Sequence, residues 1–189
     1  MIIPNRKILV VDDDIHVLEA YHEILVTAAN SETDELMQLS TDGFSLEEDE
    51  SKQAIDQSAD SFELVTANSG KEAISLFKQA FDEGEPFSTV FLDVRMPPGM
   101  DGVECSGQLR RIDPRTNIAI VSAYADYSTD EIYTHLGYNF VYLKKPFIPD
   151  ELFQVARMFS YYWARDIIHT EKLAKLEQQL SQCKQQSGA

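Results

Sequence analysis

Two short apolar runs, Ile8-Leu9-Val10-Val11 and Val90-Phe91-Leu92, end abruptly in carboxylate, the first in Asp12-Asp13-Asp14 and the second in Asp93. Short runs without alternation read as strands buried on both faces, the pattern of a parallel sheet covered by helices on either side. In such sheets, ligands gather just beyond the carboxyl ends of the strands. Two strands of this kind would deliver Asp12, Asp13 and Asp93 to one edge and crowd three negative charges into one pocket. That is unfavourable unless a cation neutralises them or some stay protonated. An all-oxygen pocket suits a hard divalent ion, Mg2+ foremost. Acids that merely cap strand ends would account for either segment alone, but not for both.

Two more strand ends complete the set. Asn117-Ile118-Ala119-Ile120-Val121 runs into Ser122-Ala123, and Phe140-Val141-Tyr142-Leu143 runs into Lys144-Lys145-Pro146-Phe147. A carboxylate nucleophile, a metal, a hydroxyl and an ammonium are the parts needed to move a phosphoryl group onto Asp. Metal and lysine neutralise the phosphoryl oxygens, the hydroxyl donates a hydrogen bond, and the carboxylate attacks in line. A lone Ser or Lys would mean little; their order after successive hydrophobic runs gives the signal its strength.

With LVVDDD at 9–14, FLDVRMPPGMDG at 91–102, IVSA at 120–123 and YLKKPF at 142–147, the chain resembles the receiver domain of two-component response regulators over residues 5–160. The resemblance implies a flavodoxin-like α/β fold, a doubly wound five-stranded parallel sheet. It implies Asp93 as phosphoacceptor, and Asp12, Asp13, Asp93 and the backbone carbonyl of Arg95 as the Mg2+ site, Asp12 acting largely through water. Ser122 resembles the switch hydroxyl and Tyr142 the rotating aromatic. Lys145, which directly precedes the proline, resembles the phosphate-binding lysine, and Lys145-Pro146 is a candidate cis bond. The partner implied is a sensor histidine kinase or a phosphotransfer protein. The doubled Pro97-Pro98 departs from the family pattern. Arg95 and Tyr124, two residues beyond Asp93 and Ser122, occupy positions that tune acyl-phosphate lifetime in this family.

Composition narrows the rest. A chain of 189 residues suits one domain plus an addition. Its net charge of −16 argues against direct binding of nucleic acid or an anionic membrane surface. Cys105 and Cys183 show neither a disulfide framework nor zinc spacing, which fits a reducing cytoplasm. Met1 to Lys7 leads straight into the first strand, so no signal peptide is expected, and no apolar run is long enough to span a bilayer.

Strand and helix alternate along the chain, which implies right-handed crossovers on a parallel sheet. Strands are expected near 7–12, 62–66, up to Asp93, up to Val121 and up to Leu143. Val17, Leu18, Tyr21, Ile24, Leu25 and Ala28 mark the first helix. Ser69-Gly70-Lys71-Glu72 and Ser128-Thr129-Asp130-Glu131 read as capping boxes, the first opening a helix through Phe81 with Leu76, Phe77 and Phe81 in the core. Asp101 opens the third helix, which ends before Asp113-Pro114; Gly137 stops the fourth, and Pro149 opens the last. His16, His22, His135 and His169 read as surface or helix residues without metal spacing, and Tyr124, Tyr127, Tyr133 and Tyr138 as partly buried aromatics around the fourth helix.

Two additions stand out. Between the first helix and second strand lies an insertion, about 30–61, with ten acids against the single base Lys52, a net −9. Ser45-Leu46-Glu47-Glu48 offers a cap there, with Ile55 and Ala59 on its inner side. A docking element is one reading; a solvated surface insertion is favoured, because long surface loops are well tolerated. The second addition, 161–189, continues the last helix in one heptad register through Leu152, Val155, Phe159, Tyr162, Asp166, His169, Leu173, Leu176, Leu180 and Cys183. Its last members read as a coiled-coil seam, hence a homodimer through the C-terminal helix. Ser187-Gly188-Ala189 resembles an arbitrary stop in a longer protein.

Two rival functions remain. A haloacid-dehalogenase-like, Mg2+-dependent phosphohydrolase also begins with Asp-x-Asp, here Asp12 and Asp14. Its late acidic motif would have to come from Asp150, Glu151 or Asp166, all in expected helix, and Asp93 with its loop would go unexplained. A phosphorylation-independent dimeric scaffold would leave the full set of acid, hydroxyl and lysine without a purpose.

Overall fold

The computed structural model describes residues 2–27, 61–123 and 127–187. Most of the acidic insertion, with its expected cap at Ser45 and inner residues Ile55 and Ala59, lies outside the described residues, as do Ala28, Tyr124 and the side chain of Cys183. Five parallel strands form one sheet: β1 (Lys7–Val11), β2 (Glu63–Ala67), β3 (Thr89–Asp93), β4 (Asn117–Ser122) and β5 (Phe140–Lys144). Their order is β2-β1-β3-β4-β5, the flavodoxin-like arrangement. The helices are α1 (Ile15–His22), α2 (Gly70–Asp82), α3 (Gly102–Ile112), α4 (Thr129–Leu136) and α5 (Pro149–Ser187). The first helix continues into a π-helical turn, Glu23–Thr27.

Strand alternation divides the core into two layers. Leu9, Val11, Val90, Leu92, Ile118 and Ile120 face a layer completed by Phe77 of α2, Val103 and Leu109 of α3 and Ile132 of α4. Ile8, Val10, Phe91, Ala119 and Val121 face the opposite layer, with Leu18 and Tyr21 of α1 and Leu152, Ala156 and Phe159 of α5. Both faces of β3 and β4 are therefore buried, as are nearly all of β1, which is why their sequences run apolar without alternation. Each fully buried aliphatic or aromatic side chain contributes about 1.5–3 kcal/mol through water exclusion.

Helix ends follow local chemistry, with small corrections. Ser128 and Glu131 form a complete reciprocal capping box. Ser69 caps α2 by accepting from Glu72 N, but Glu72 reaches back to the N–H of Asn68 rather than to that of Ser69, so this box is shifted by one residue. Phe77 is buried on α2, whereas Leu76 and Phe81 are half-buried. Gly137 ends α4 at φ +71°, in the left-handed region. All four histidines are exposed, and so are Tyr133 and Tyr138, which the sequence reading had partly buried.

Helix α5 runs 39 residues without a break. Its early part is joined to the sheet by a buried polar cluster at the end opposite the acidic strand ends. There Asn117 Nδ2 donates to the carbonyls of Ser88 at 3.2 Å and Phe159 at 3.1 Å, and the Ser88 and Ser160 hydroxyls lie 3.4 Å apart. One turn on, the Arg115 guanidinium lies 5.8 Å from the Trp163 ring centre while pairing with buried Asp113 at 2.8 Å. From His169 to Gln182 every residue is exposed. Among the described residues no helix is long and apolar enough to cross a membrane.

Candidate functional site

The sheet order reverses between β1 and β3, and the crevice beyond that reversal is where such folds bind ligands. Asp12 follows β1 and Asp93 ends β3, so the topology sets both at the crevice. The turn after β1 is built from acids. Asp12 N donates to Ala67 O at 3.1 Å, Asp12 Oδ1 accepts from Asp14 N at 3.1 Å, and Asp14 Oδ1 accepts from His16 N at 2.9 Å, capping α1. Asp14 thus has a structural task, unlike the second acid of an Asp-x-Asp phosphohydrolase, and Asp150 and Glu151 are exposed on the first turn of α5.

Lys145 closes the site. Its backbone N–H donates to Ser122 O at 2.9 Å, which lays the loop after β5 against the end of β4. Its Nζ donates to Asp12 Oδ2 at 2.6 Å and to Asp93 Oδ1 at 2.5 Å. Asp93 Oδ2 accepts from Arg95 N at 2.6 Å. The peptide bonds Lys145-Pro146 and Pro97-Pro98 are both cis.

Asp12 and Asp93 are almost wholly buried. Burial, the largest influence, lifts the Asp93 carboxyl above its ordinary range, with a smaller push from Asp12; the hydrogen bond and charge of Lys145 and the Arg95 N–H offset part of this. Burial pulls the Lys145 ammonium down, but its hydrogen bonds to Asp12 and Asp93 and their charges outweigh it, so it ends above the usual lysine range. One ammonium thus faces two carboxylates, and the pocket keeps a net negative charge.

That charge and an all-oxygen donor set fit a hard divalent cation. Among the described residues no three His, Cys, Asp or Glu side chains are gathered to hold a metal by themselves, and Asp13 is exposed. A cation that keeps several waters and takes only one or two carboxylates does not need three. Ser122 is buried as the last residue of β4. Tyr142, beside Ile120 in the register, is half-buried against the layer under α2, α3 and α4.

Three supporting residues were not assigned from the sequence. Gly102 is forced by contact: a Cβ there would lie 2.0 Å from Asp93 O, while Gly102 N donates to Val94 O at 2.9 Å. The Asp-Gly step at the start of α3 was its only signal. Tyr21 is buried beneath the site, its ring centre 5.4 Å from that of Phe91 and 4.9 Å from that of Phe147. Burial first, then the charges of Asp12 and Asp93, push its phenol well above the ordinary range. Tyr127 donates its hydroxyl to Asp101 Oδ2 at 2.9 Å, across a cleft of about 620 Å³ also lined by Val94, Arg95, Met96, Pro97 and Gly99.

A family model described as the response regulator receiver domain matches residues 48–157. The match leaves out β1, α1 and Asp12, which the structure sets in the sheet and crevice beside the matched elements. The regulatory protein AtoC of Escherichia coli (strain K12) is 35% identical over 91 residues, 48% of this chain but only 18% of that protein. A solved adenylate cyclase structure from Rhodopirellula baltica is similar at a TM-score of 0.61 and 25% identity, covering 90% of this chain and 98% of that one. A CheY-like response regulator receiver domain protein from Methanospirillum hungatei JF-1 shares the fold at a TM-score of 0.57 and 19% identity, over 85% of this chain and 98% of that one.

Proposed function

The chain belongs to the response regulator receiver family, and on that premise we propose that it is a phosphorylation-controlled signalling module in which Asp93 accepts a phosphoryl group from a sensor histidine kinase or a phosphotransfer protein. The observation that carries this reading is the buried pair Asp12 and Asp93 sharing the ammonium of Lys145 at the carboxyl ends of the strands. An Asp93 oxygen attacks phosphorus as the bond from phosphorus to the donor's leaving group breaks, and the phosphoryl group stays on the carboxylate. Lys145 follows the phosphoryl oxygens, and the Ser122 hydroxyl turns toward them, vacating space for Tyr142. Asp12, Asp13, Asp93 and the Arg95 carbonyl would hold Mg2+, which supplies charge neutralisation to the phosphoryl oxygens. Chemistry is limited to the protein's own phosphorylation and dephosphorylation; it does not act as an enzyme on a separate substrate.

The receiver spans 5–160 with its insertion at 30–61, and 161–189 forms a helical extension that pairs with a second copy. The switch acts on the face around 128–160. We place the protein in the cytoplasm, with no direct contact to nucleic acid or membrane. The deciding experiment incubates the chain with acetyl phosphate and Mg2+ and follows phosphoprotein on a phosphate-affinity gel. Asp93→Asn should abolish the shifted band, and Asp13→Ala or excess chelator should sharply reduce it. Continued modification of Asp93→Asn, with Asp12→Asn inert, would hand the function to the phosphohydrolase.

A further inference from the structure

Two hydrogen bonds hold the Asp12 carboxylate: Oδ2 accepts the Lys145 ammonium at 2.6 Å, and Oδ1 accepts the backbone N–H of Asp14 at 3.1 Å. The second bond depends on the conformation of residue 14. Asp14 stands in extended backbone, φ −93° and ψ 112°, as the cap of α1, and its own Oδ1 accepts from His16 N at 2.9 Å. Its carbonyl accepts from Val17 N at 3.1 Å and from Leu18 N at 3.2 Å, so the first turn of the helix is fastened to it. One exposed residue therefore joins the start of α1 to a buried carboxylate. Its side chain and carbonyl grip the helix, and its N–H aims Asp12.

We propose that Asp14 is a positioning residue for the divalent cation: by capping α1 it fixes the N–H that orients the Asp12 carboxylate, and it acts through that hydrogen bond rather than through its own charge. The inference rests on Asp12 being part of the Mg2+ site. Groups that hydrogen-bond a metal-binding carboxylate orient it, and their loss weakens the metal. Without the cap, residue 14 loses the side-chain bond that holds it extended, and its N–H is no longer fixed on Oδ1. The carboxylate must then be ordered when the cation arrives, which costs affinity. The bond matters most once Lys145 turns to phosphoryl oxygens, because Oδ2 is then released and the Asp14 N–H is the contact left on the Asp12 side chain. The charge of Asp14 counts for less, since the residue is exposed and its carboxylate is screened by water and salt.

The test titrates the full chain with Mg2+ and follows backbone amide shifts by NMR, which reads weak binding directly. Asp14→Ala removes the cap and should weaken Mg2+ binding by about three- to tenfold, within the range one lost cap allows. Asp14→Asn and Asp14→Ser cap a helix about as well as Asp does, without the charge, and both should stay within about twofold of the parent. Asn117→Ala loosens the fold at the opposite end of the sheet and should leave Mg2+ affinity unchanged. Unweakened binding in Asp14→Ala overturns the proposal. So does equal weakening in all three Asp14 variants, which would assign the effect to charge, and so does equal weakening in Asn117→Ala, which would assign it to lost stability. A parent protein whose amides around Asp12 do not respond to Mg2+ overturns the metal-site reading and the role of Asp14 with it.

Discussion

Asp93 is a buried carboxylate that shares the ammonium of Lys145 with Asp12, and this shapes its response to pH. Its carboxyl is raised above the ordinary range, burial being the main cause, so folding favours its protonated form. Its contribution to stability is therefore present at pH below its unfolded range and is lost as pH rises through its folded range. Because the folded chain disfavours the ionised form, Asp93→Asn, which removes that charge and leaves Lys145 paired with Asp12, should stabilise the fold at neutral pH. The gain should shrink as acid protonates the parent carboxyl. Urea unfolding at pH 7 and pH 4 reads both halves, and a variant less stable at both would show that Lys145 more than compensates Asp93. The acids, Ser122 and Lys145 were legible because each follows an apolar run, a pattern strand geometry converts directly into position. Gly102 and Tyr127 were not, because their roles depend on contacts between loops that no local pattern encodes. Asp13, adjacent to Asp12 in sequence, is exposed where Asp12 is buried, a difference that spacing alone does not indicate.

Among the elements, central strands were the easiest to read and helix ends the least exact. A strand covered on both faces announces itself by composition, as Val90-Phe91-Leu92 does. Capping depends on single hydrogen bonds, so Ser69 and Ser128, identical in motif, differ in outcome. Helix α5 offered an apolar stripe but no hint that its backbone would be bonded to the sheet. That bond comes from Asn117, whose amide serves the carbonyls of Ser88 and Phe159 on two different elements. Asn117→Ala removes these two side-chain hydrogen bonds, while Ser88 O keeps the backbone N–H of residue 117 at 3.2 Å; at about 1 kcal/mol each the loss should be about 2 kcal/mol in urea unfolding. A loss below roughly 0.5 kcal/mol would mean that water replaces the amide, leaving α5 held by its apolar contacts alone. Fixing α5 here makes the helix beyond Ser160 an extension of the sheet's own frame, so a shift of α5 reaches the extension without intervening joints.

On the scale of the whole molecule, the extension raises the question of what covers it. Packing against the body ends near Trp163 and Ala164, and beyond it Leu173, Leu176 and Leu180 stand 61%, 54% and 60% exposed at coiled-coil spacing. In proteins most helical stability comes from packing an apolar face, and on a single copy this stripe packs against nothing among the described residues. The strongly acidic chain does not oppose pairing locally, since residues 161–189 carry four bases against three acids. Arg165 reaches its neighbour Asp166 at 3.5 Å, and His169 is exposed, so both polar seam positions lie at the surface of one copy. Set between two copies, they would cost stability while fixing a parallel register, as polar seam residues do. The chain should therefore form a parallel homodimer, and cutting after Thr170 should yield a monomer, since the cut spares every contact from Ser160 to Ala164. Sedimentation of the two chains, with and without beryllofluoride, gives the answer. The expected result is a dimer only for the intact chain, with phosphoryl mimic altering its strength; two monomers at high micromolar concentration would leave the exposed leucines without a partner in this molecule and end the coiled-coil reading.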